Sequence, residues 1–285
     1  MTVSYAGAMR AEDRADIEAY YARDEERDRL SAGPVGVIEF ERTKEIILRR
    51  LPPAPAVVAD IGGGPGGYTQ WLAGLGYRVE HRDLMPLHVE QVRAAMGDNG
   101  LVHTMLGNAL DLDLPDAGVD AVLLLGPLYH LKDRADRIKA LREAARIVRP
   151  GGPVFVAAIS RWAPRLDGEL RSKLYLKYPH STSVLPELER RGFMAPLHPA
   201  AFTAFCHRPG QLRSEVRAAG LRVADLVNVE GAAFLLGDLA ERLAVPRDRQ
   251  ALFDTLRAIE RVPELLGAGP HLLVSAVRET SLGGE

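Results

Sequence analysis

Hydrophobic and polar residues form a repeating strand–helix pattern from about residue 56 onward. Short apolar, β-branched runs predict strands at Ala56–Ile61, Tyr77–Asp83, Leu101–Met105, Asp120–Leu125 and Val154–Ile159. Apolar residues at helical spacing predict intervening helices at Tyr68–Leu75, Pro86–Met96 and Arg134–Val148. The repeat therefore predicts an α/β protein whose parallel sheet is covered by helices on both faces.

The pattern differs before residue 52 and again after residue 160. The first 51 residues are predicted to be largely helical, and Gly36–Leu51 is expected to carry apolar residues on one face and Glu and Arg residues on the other. Arg161–Phe205 is too long for an ordinary connection, which favours an inserted helical lid or a mobile loop. The strand–helix pattern then resumes with a helix at Pro209–Ala219, a strand at Leu221–Val227, a helical insertion at Ala232–Leu266 and a final strand at His271–Arg278.

Composition and charge narrow the class of protein. Hydrophobic residues make up 47% of the chain and charged residues 26%, as in ordinary globular proteins. With 36 Lys and Arg against 38 Asp and Glu the formal charge is −2, so no positive field draws the chain to nucleic acid or anionic lipid. The single cysteine, Cys206, excludes an internal disulfide, and no apolar run suits a signal peptide or a membrane span. We expect a cytoplasmic protein without nucleic-acid or membrane partners.

The strongest chemical signal is the glycine-rich turn after the first predicted strand. In Asp60-Ile61-Gly62-Gly63-Gly64-Pro65-Gly66-Gly67 the backbone can approach a ligand closely, because no Cβ atom is in the way. Asp83 ends the second predicted strand, where an acid can accept hydrogen bonds from both hydroxyls of a ribose. Together they indicate a nucleoside-containing cofactor. Because Gly62, Gly64 and Gly67 also satisfy G-x-G-x-x-G, a nicotinamide dinucleotide stays open as an alternative.

Five stretches together resemble the class I S-adenosylmethionine-dependent methyltransferases. They are the turn Asp60-x-Gly62-x-Gly64-x-Gly66, the second-strand end Asp83-Leu84-Met85-Pro86, the segment Gly107-Asn108-Ala109, the stretch Asp120–His130, and the helix and turn from Leu141 to Gly152. The resemblance covers about Val57–Ile159. It implies a doubly wound, Rossmann-like, mostly parallel seven-stranded sheet with an antiparallel last strand, an N-terminal helical arm and helical lid insertions.

The pattern along the chain, together with this resemblance, predicts a division of the chain into four parts. Residues 1–51 are expected to form an N-terminal helical cap, and residues 52–160 the α/β core that binds S-adenosylmethionine. Residues 161–208 are expected to form a lid that contributes to the substrate site. Residues 209–285 would complete the α/β core, with the helical insertion at residues 232–266.

The resemblance also assigns cofactor-binding roles position by position. The glycine turn is expected to line the methionine part of S-adenosylmethionine, Asp83 to bind the ribose, and an aromatic residue of the arm to close over the cofactor. The expected cofactor-binding residues are Tyr21, Asp60, Gly62, Gly63, Gly64, Asp83, Leu84, Asn108, Ala109, Leu125 and Gly126. Gly126-Pro127-Leu128-Tyr129 resembles the Asn-Pro-Pro-Tyr loop of methyltransferases that act on nucleic-acid amines. Gly126 has no side chain to hold an amine, however, so a nucleic-acid substrate is not expected.

The reaction itself sets modest demands on side chains. Methyl transfer from a sulfonium is an in-line displacement, which alignment in a water-poor cavity accelerates. A base is needed only where the nucleophile must lose a proton, and His130, just after the fourth predicted strand, is the first candidate; a purely structural histidine is the alternative. Tyr129 is the second candidate catalytic residue, expected either to position the substrate or to form a wall of the site. Further substrate contacts are expected from Tyr20, Arg161, Tyr175, Tyr178 and His180.

The sequence thus predicts a methyltransferase that acts on an O, N or C atom of a small molecule. Transfer is expected to be metal-independent, because no His, Cys or carboxylate grouping has the spacing of metal ligands. An NAD(P)-dependent oxidoreductase and a non-catalytic S-adenosylmethionine-binding protein are the alternatives. The protein is expected to be a monomer or a homodimer.

Overall fold

The computed structural model describes residues 11–21, 26–198 and 201–279, which contain a seven-stranded sheet and a separate two-stranded sheet. The strands are β1 (Val57–Ile61), β2 (Arg78–Asp83), β3 (Val102–Leu106), β4 (Ala121–Leu124), β5 (Pro153–Ile159), β6 (Phe193–Met194), β7 (Ala204–Phe205), β8 (Leu221–Asn228) and β9 (His271–Arg278). The two-residue strands β6 and β7 pair antiparallel to each other, apart from the large sheet. The predicted strands of the large sheet agree with the structure to within two residues at each end.

Helices flank the large sheet and fill both insertions. The α-helices are α1 (Ala11–Tyr21), α2 (Pro34–Leu48), α3 (Gly67–Gly74), α4 (Pro86–Met96), α5 (Pro127–His130), α6 (Arg134–Ile147), α7 (Ala163–Arg165), α8 (Leu174–Lys177), α9 (Ser181–Arg191), α10 (Pro209–Ala218), α11 (Leu239–Ala244) and α12 (Pro246–Ile259). A π-helical turn spans Leu166–Arg171, and 3₁₀ turns span Gly231–Leu235 and Pro263–Leu265. Five of the helices begin with proline, whose missing N–H costs nothing in a first turn.

The large sheet has the order β3-β2-β1-β4-β5-β9-β8. Strands β1 to β5 run parallel, whereas β9 is antiparallel to both of its neighbours, β5 and β8. This arrangement confirms the predicted seven-stranded α/β fold with an antiparallel last strand. The order reverses between β1 and β4, so the loops that follow these two strands leave the sheet in opposite directions. A crevice at the carboxyl ends of the strands is the consequence.

The strands β1, β4 and β5 are buried along most of their length because helices cover both faces. On one face, α6 and α10 pack apolar residues such as Leu141, Ile147 and Leu212 against the sheet. On the other face, α2 and α3 do so with residues such as Ile46, Ile47 and Leu72. The crevice therefore has a rigid floor.

The charged residues of α2 correct the sequence interpretation. Glu and Arg residues were expected on its solvent face, yet Glu39 and Arg42 are buried. The reason is that α2 is covered twice, by the sheet on one side and by residues 231–259 on the other. Arg42 forms ion pairs with Glu45 and with the buried Glu260, and Glu260 also pairs with Arg49. Periodicity alone did not reveal the second cover.

The two insertions have different neighbours. Residues 161–208 form a small apolar cluster of their own, which packs on Tyr129 and Ile159 near the crevice. Residues 231–259 pack on α2 instead. Within the described part of the chain, no helix combines the length and apolar character that crossing a bilayer demands.

Candidate active site

A cavity of about 720 Å³ lies at the carboxyl ends of the strands, where the sheet order reverses. The loops after β1 and β4 meet at its centre. A Cβ atom on Gly62 would lie 2.6 Å from Cγ of Pro127, and one on Gly126 would lie 2.9 Å from the carbonyl oxygen of Gly62. Both positions therefore need glycine for the loops to touch. On its outer side the cavity is bordered by residues of α1, of the turn at 26–31 and of α2.

The glycine turn is shaped to leave room above it. Gly62, Gly64 and Gly66 have φ values of 65°, 58° and 87°, which other residues adopt at a cost. A Cβ atom on Gly64 would meet nothing within 4 Å, although Gly64 lines the cavity. The space in front of Gly64 is thus available to a ligand.

Two buried side chains support this turn from below. The Nε2 atom of His81 lies 3.1 Å from the Gly64 carbonyl oxygen, and its Nδ1 atom lies 2.8 Å from the Thr104 hydroxyl. Asp60 accepts a hydrogen bond of 2.7 Å from the Thr69 hydroxyl. Burial raises the pKa of Asp60, although His81 and Thr69 oppose the shift. These contacts fix the turn before any ligand binds.

Asp83 connects the glycine turn to the start of α4. Its carboxylate accepts hydrogen bonds from the Gly64 N–H at 2.8 Å, the Met85 N–H at 2.9 Å and the His88 ring at 3.0 Å. Burial alone would raise the pKa of Asp83, but the hydrogen bonds from His88 and the two amides outweigh it and lower the pKa. Asp83 is therefore an anion that lines the cavity.

Tyr21, Tyr129 and His130 form a polar cluster over the centre of the cavity. The Tyr21 hydroxyl lies 2.8 Å from Nε2 of His130 and also hydrogen-bonds to Tyr129. Burial lowers the pKa of His130 to about 4, although the charge of Asp83 opposes this shift. His130 is thus neutral at pH 7. Its Nδ1 atom has no hydrogen-bond partner among the residues that the structure describes.

The side of the cavity next to β9 carries a group of charges, which we call the charged end. It comprises Glu26, Arg29, Glu39 and His271 in the lining, with Glu230 behind them. Arg29 donates to both carboxylate oxygens of Glu39, at 2.6 and 3.1 Å, and to Glu26 at 2.5 Å. His271 pairs with Glu230 at 2.5 Å and lies 3.8 Å from Glu39.

The structure brings together most of the residues predicted for the site. All eleven predicted cofactor-binding residues line the cavity, namely Tyr21, Asp60, Gly62, Gly63, Gly64, Asp83, Leu84, Asn108, Ala109, Leu125 and Gly126. The predicted catalytic residues His130 and Tyr129 and the predicted substrate contact Tyr20 line it as well. Their individual roles stay predictions.

Four predicted substrate contacts lie outside the cavity lining: Arg161, Tyr175, Tyr178 and His180. Arg161 is buried in the insertion. Its guanidinium donates hydrogen bonds to the carbonyl oxygens of Cys206 and Glu189 and to the Gln211 side chain, so it does not face the cavity. Tyr178 stacks on His198, and the exposed Tyr175 lies on α8. The insertion packs these residues into its own structure, and from it Phe202 lines the cavity.

Sequence reasoning missed several residues that line the cavity, above all Arg29, Glu39, His88 and His271. Glu39 and His271 are 232 positions apart in the chain and meet because α2 crosses the end of β9. No local motif marks either residue. His88 offered a weak signal, since it lies one turn into a helix that follows Asp83.

Comparison with known proteins identifies the family. A family model described as a methyltransferase domain matches residues 59–156, which include the glycine turn, Asp83 and Gly126. The chain is similar to an uncharacterized methyltransferase of Mycobacterium tuberculosis, with 30% identity over 181 residues, 58% of this chain and 72% of the relative. It is 34% identical over 119 residues to a ubiquinone biosynthesis O-methyltransferase of Xanthomonas axonopodis, 41% of this chain and 48% of that relative.

Solved structures agree on the fold. One of them is the Burkholderia thailandensis 1,6-didemethyltoxoflavin-N1-methyltransferase, crystallised with 1,6-didemethyltoxoflavin and S-adenosylhomocysteine. The match has a TM-score of 0.57 at 18% identity and covers 98% of this chain and 94% of that one. The match shows that the two chains share the fold.

The cavity also fits the cofactor of this family. The open space at Gly64 accepts a chain that a Cβ atom would displace. The Asp83 carboxylate has about four lone-pair sites and accepts three hydrogen bonds, so it retains about one for a hydroxyl group. Leu84 and Ala109 supply apolar surface beside them. The family assignment also decides between the two cofactors that the glycine pattern had left open. The chain belongs to the class I S-adenosylmethionine-dependent methyltransferases.

Proposed function

We propose that this methyltransferase transfers a methyl group to an O, N or C atom of a small molecule. The observation that carries the proposal is the cavity of about 720 Å³, which extends from the glycine turn past Gly126 to His271. Pockets of roughly 300–1,000 Å³ are typical of small-molecule sites. Residues of α1 and α2 line the same cavity, and a bounded space of this kind favours a small acceptor over a nucleic-acid strand or a folded protein.

The residues of the chain divide into holding and aligning roles. Gly64 and Asp83 would hold the cofactor, and Leu125 and Gly126 would border the reacting centre. When bound, S-adenosylmethionine supplies an electrophilic methyl group on a sulfonium. Apolar residues such as Ile17, Ile159 and Phe202 line the same space and would keep water from the reacting atoms.

The names of similar proteins support a small-molecule acceptor without fixing its atom. The Xanthomonas relative is named for O-methylation and the Burkholderia structure for N1-methylation. The formal charge of −2 supports the absence of a nucleic-acid partner. Metal independence and a monomeric or homodimeric state stay predictions of the sequence.

Isothermal titration with S-adenosylhomocysteine, NAD and NADP tests the cofactor, and the transfer of isotope from methyl-labelled S-adenosylmethionine tests catalysis. We expect micromolar binding of S-adenosylhomocysteine alone and transfer to at least one member of a panel of phenols, amines and carbon acids. Binding of a dinucleotide instead would contradict the proposal. Cofactor binding without transfer to any class of acceptor would favour the non-catalytic alternative.

A further inference from the structure

His271 lines the cavity on the side that faces away from Asp83. It begins β9 and is paired in register with Ile159 at the end of β5. Adjacent strands are roughly 4.8 Å apart, so β9 lies roughly 10 Å from β4, the strand that leads to Gly126. In the proposed function the cofactor spans β2, β1 and β4. His271 therefore lines the part of the cavity that remains for the acceptor.

Two carboxylates face the His271 ring and hold it in its charged form. The fully buried Glu230 accepts a hydrogen bond of 2.5 Å from Nδ1 and one of 3.1 Å from the His271 backbone N–H, and Glu39 lies 3.8 Å from Nδ1. Burial alone would lower the pKa of His271, but Glu230 and Glu39 outweigh it and raise the pKa to about 9, with Arg29 opposing. At pH 7 both ring nitrogens therefore carry a proton.

The other charged groups at this end already have partners. Arg29, from the turn before α2, donates to both carboxylate oxygens of Glu39 and to Glu26. Burial raises the pKa of Tyr68 of α3, so its hydroxyl stays protonated beside these groups. The formal charges of the charged end, three carboxylates and two cations, leave one negative charge.

The Nε2–H group of His271 is the donor that this arrangement leaves for a ligand. Within the described ranges of the chain no residue accepts a hydrogen bond from Nε2, and the side chain keeps 22% of its surface exposed in the cavity wall. Ile159, its partner in register, and Val229, which donates to its carbonyl oxygen, add apolar lining. A charged donor in such surroundings costs free energy unless it meets an acceptor atom.

We propose that the Nε2–H group of His271 binds a neutral carbonyl oxygen of the acceptor, with Glu230 as its positioning residue. The substrate is then a ketone, ester, amide or quinone whose methylated atom lies elsewhere in the molecule. This inference rests on the proposed function and names the chemical class of its acceptor. It assigns no proton transfer to His271.

The charges and the apolar lining select this class. An imidazolium can only donate, so it does not bind a substrate ammonium or another N–H group. The excess negative charge of the charged end disfavours a carboxylate. A hydroxyl group would bring a donor of its own, for which Ile159 and Val229 provide no acceptor side chain. A carbonyl oxygen accepts the hydrogen bond and adds no group that needs a partner.

A bound cation is the competing explanation for this group of side chains. Glu39, Glu230 and His271 present donor atoms that all lie within 4.8 Å of one another. Both oxygens of Glu39, however, accept hydrogen bonds from Arg29, and a protonated His271 has no lone pair to give a metal ion. We assign no metal ion here, and the experiment below includes a chelator.

The test compares two phenols, 4-hydroxyacetophenone and 4-isopropenylphenol, in which a C=CH₂ group replaces the C=O group. Each is titrated at pH 7, with and without EDTA, into the full chain saturated with S-adenosylhomocysteine, and 4-hydroxybenzoate is titrated as the anionic analogue. In the wild type the ketone should bind about 10- to 150-fold more tightly than the alkene, the range for a hydrogen bond to a charged group. The carboxylate should bind more weakly than the ketone.

His271→Asn should abolish this preference and keep the affinity for S-adenosylhomocysteine. In this variant the amide nitrogen takes the place of Nδ1 as the donor to Glu230, and no atom takes the place of Nε2. His103→Asn is the matched control, because the exposed His103 pairs with Glu80 on the far strands of the sheet.

NMR of the wild-type complex with ¹⁵N-labelled histidine is a second measurement that depends on no variant. Both ring nitrogens of His271 should carry a proton at pH 7, and the Nε2 signal should move with the ketone but not with the alkene. Glu230→Gln should lower the pH at which the second proton leaves, and the preference for the ketone should disappear at that same pH. A Glu230 that only supports the fold would not couple these two changes.

Each outcome decides between stated alternatives. If S-adenosylhomocysteine does not bind, the proposed function fails. If it binds but the ketone does not bind at millimolar concentration, or binds no better than the alkene or the carboxylate, the function stands and the carbonyl assignment is overturned. A preference that survives in His271→Asn, or an unprotonated ring nitrogen of His271 at pH 7, removes His271 from the role. A preference that disappears with EDTA assigns it to a metal ion and also overturns the proposal.

Discussion

The two ends of the cavity differ in their lining: one end is lined largely by backbone atoms and the other by side chains. Beside β2 and β3, the lining comes from loops that directly follow β1, β2 and β3, and much of it is glycine backbone ordered by Asp83 and His81. At the charged end beside β9, the lining consists of side chains from the turn before α2, from α2 itself and from β9. Glu39 and His271 meet there although the chain separates them widely.

This difference suggests that the two ends bind different kinds of ligand. A backbone surface depends on φ values, on strand order and on the few side chains, such as Asp83 and His81, that order it, so most other point substitutions change it little. A surface of side chains on three separate elements can be altered one residue at a time. In the proposed function, the first end recognises an invariant cofactor and the second an acceptor that differs between family members. Variants at each end should therefore affect different measurements.

The largest expected effect comes from Gly64→Val. Valine at a φ of 58° is strained, and its side chain would fill the space in front of the turn. We expect S-adenosylhomocysteine to bind at least about 100-fold more weakly, a loss of about 2.7 kcal/mol. Titration calorimetry measures it.

The matched control is Gly97→Val at the end of α4. Gly97 has a φ of 52° and also has open space at its Cβ position, but it does not line the cavity. Gly97→Val should lower the thermal unfolding temperature about as much as Gly64→Val does, but it should bind S-adenosylhomocysteine with the wild-type affinity. Equal loss of binding in both variants would mean that strain, and not the filled space, explains the effect.

A smaller effect is expected from Asp83→Asn. The substitution replaces one acceptor oxygen by a donor that faces the Gly64 or Met85 amide, and it removes the negative charge that would face the ribose in the proposed function. Leaving such groups unpaired costs about 1–3 kcal/mol, so affinity for S-adenosylhomocysteine should fall about 5- to 150-fold. Asp111→Asn is the control, because Asp111 is exposed and lies in the loop after β3. Unchanged affinity would show that Asp83 organises the turn without contacting the cofactor.

The backbone end is also the part that could be predicted from sequence. Glycines, a strand-end acid and their order along the chain are local signals, and every residue predicted from them lines the cavity. The mostly parallel seven-stranded sheet with an antiparallel last strand followed from the strand–helix repeat and from the resemblance that the motifs carry. The arm residues Tyr20 and Tyr21 were expected near the cofactor for the same reason, and they line the cavity too.

The charged end could not be predicted because its residues become neighbours only in the folded chain. Glu39 has the periodicity of an exposed helix residue, yet it is buried since α2 has a second cover. Arg161, conversely, lies in a segment whose composition suggests a substrate lid, but its guanidinium donates hydrogen bonds to carbonyl groups of the same insertion. Whether a polar side chain faces a cavity or a neighbouring loop depends on packing that no short motif encodes.

The pH dependence of stability tests the charged end without any ligand. The folded-state pKa of His271, about 9, exceeds the ordinary histidine value near 6.5, so its ion pairs contribute fully below pH 6.5 and are lost as the pH rises through 9. We expect the free energy of unfolding to fall by about 1–3 kcal/mol more in the wild type than in His271→Gln between pH 6 and 10. Denaturant titrations at several pH values measure it. His103→Gln, an exposed histidine paired with Glu80, should follow the wild type.

The smallest effect is expected from Tyr21→Phe, which probes the boundary between the two ends. The variant removes the hydroxyl that lies 2.8 Å from Nε2 of the buried His130, so stability should fall by about 1 kcal/mol. The variant keeps the ring that packs edge-on against His88, the partner of Asp83, but loses the hydrogen bond that holds this ring in place, so affinity for S-adenosylhomocysteine should fall a few-fold as well. Tyr77→Phe is the control, since it removes a hydrogen bond to the Pro52 carbonyl away from the cavity. If both variants lose stability and only Tyr21→Phe loses affinity, the arm belongs to the cofactor end; equal affinities would place Tyr21 with the acceptor end instead.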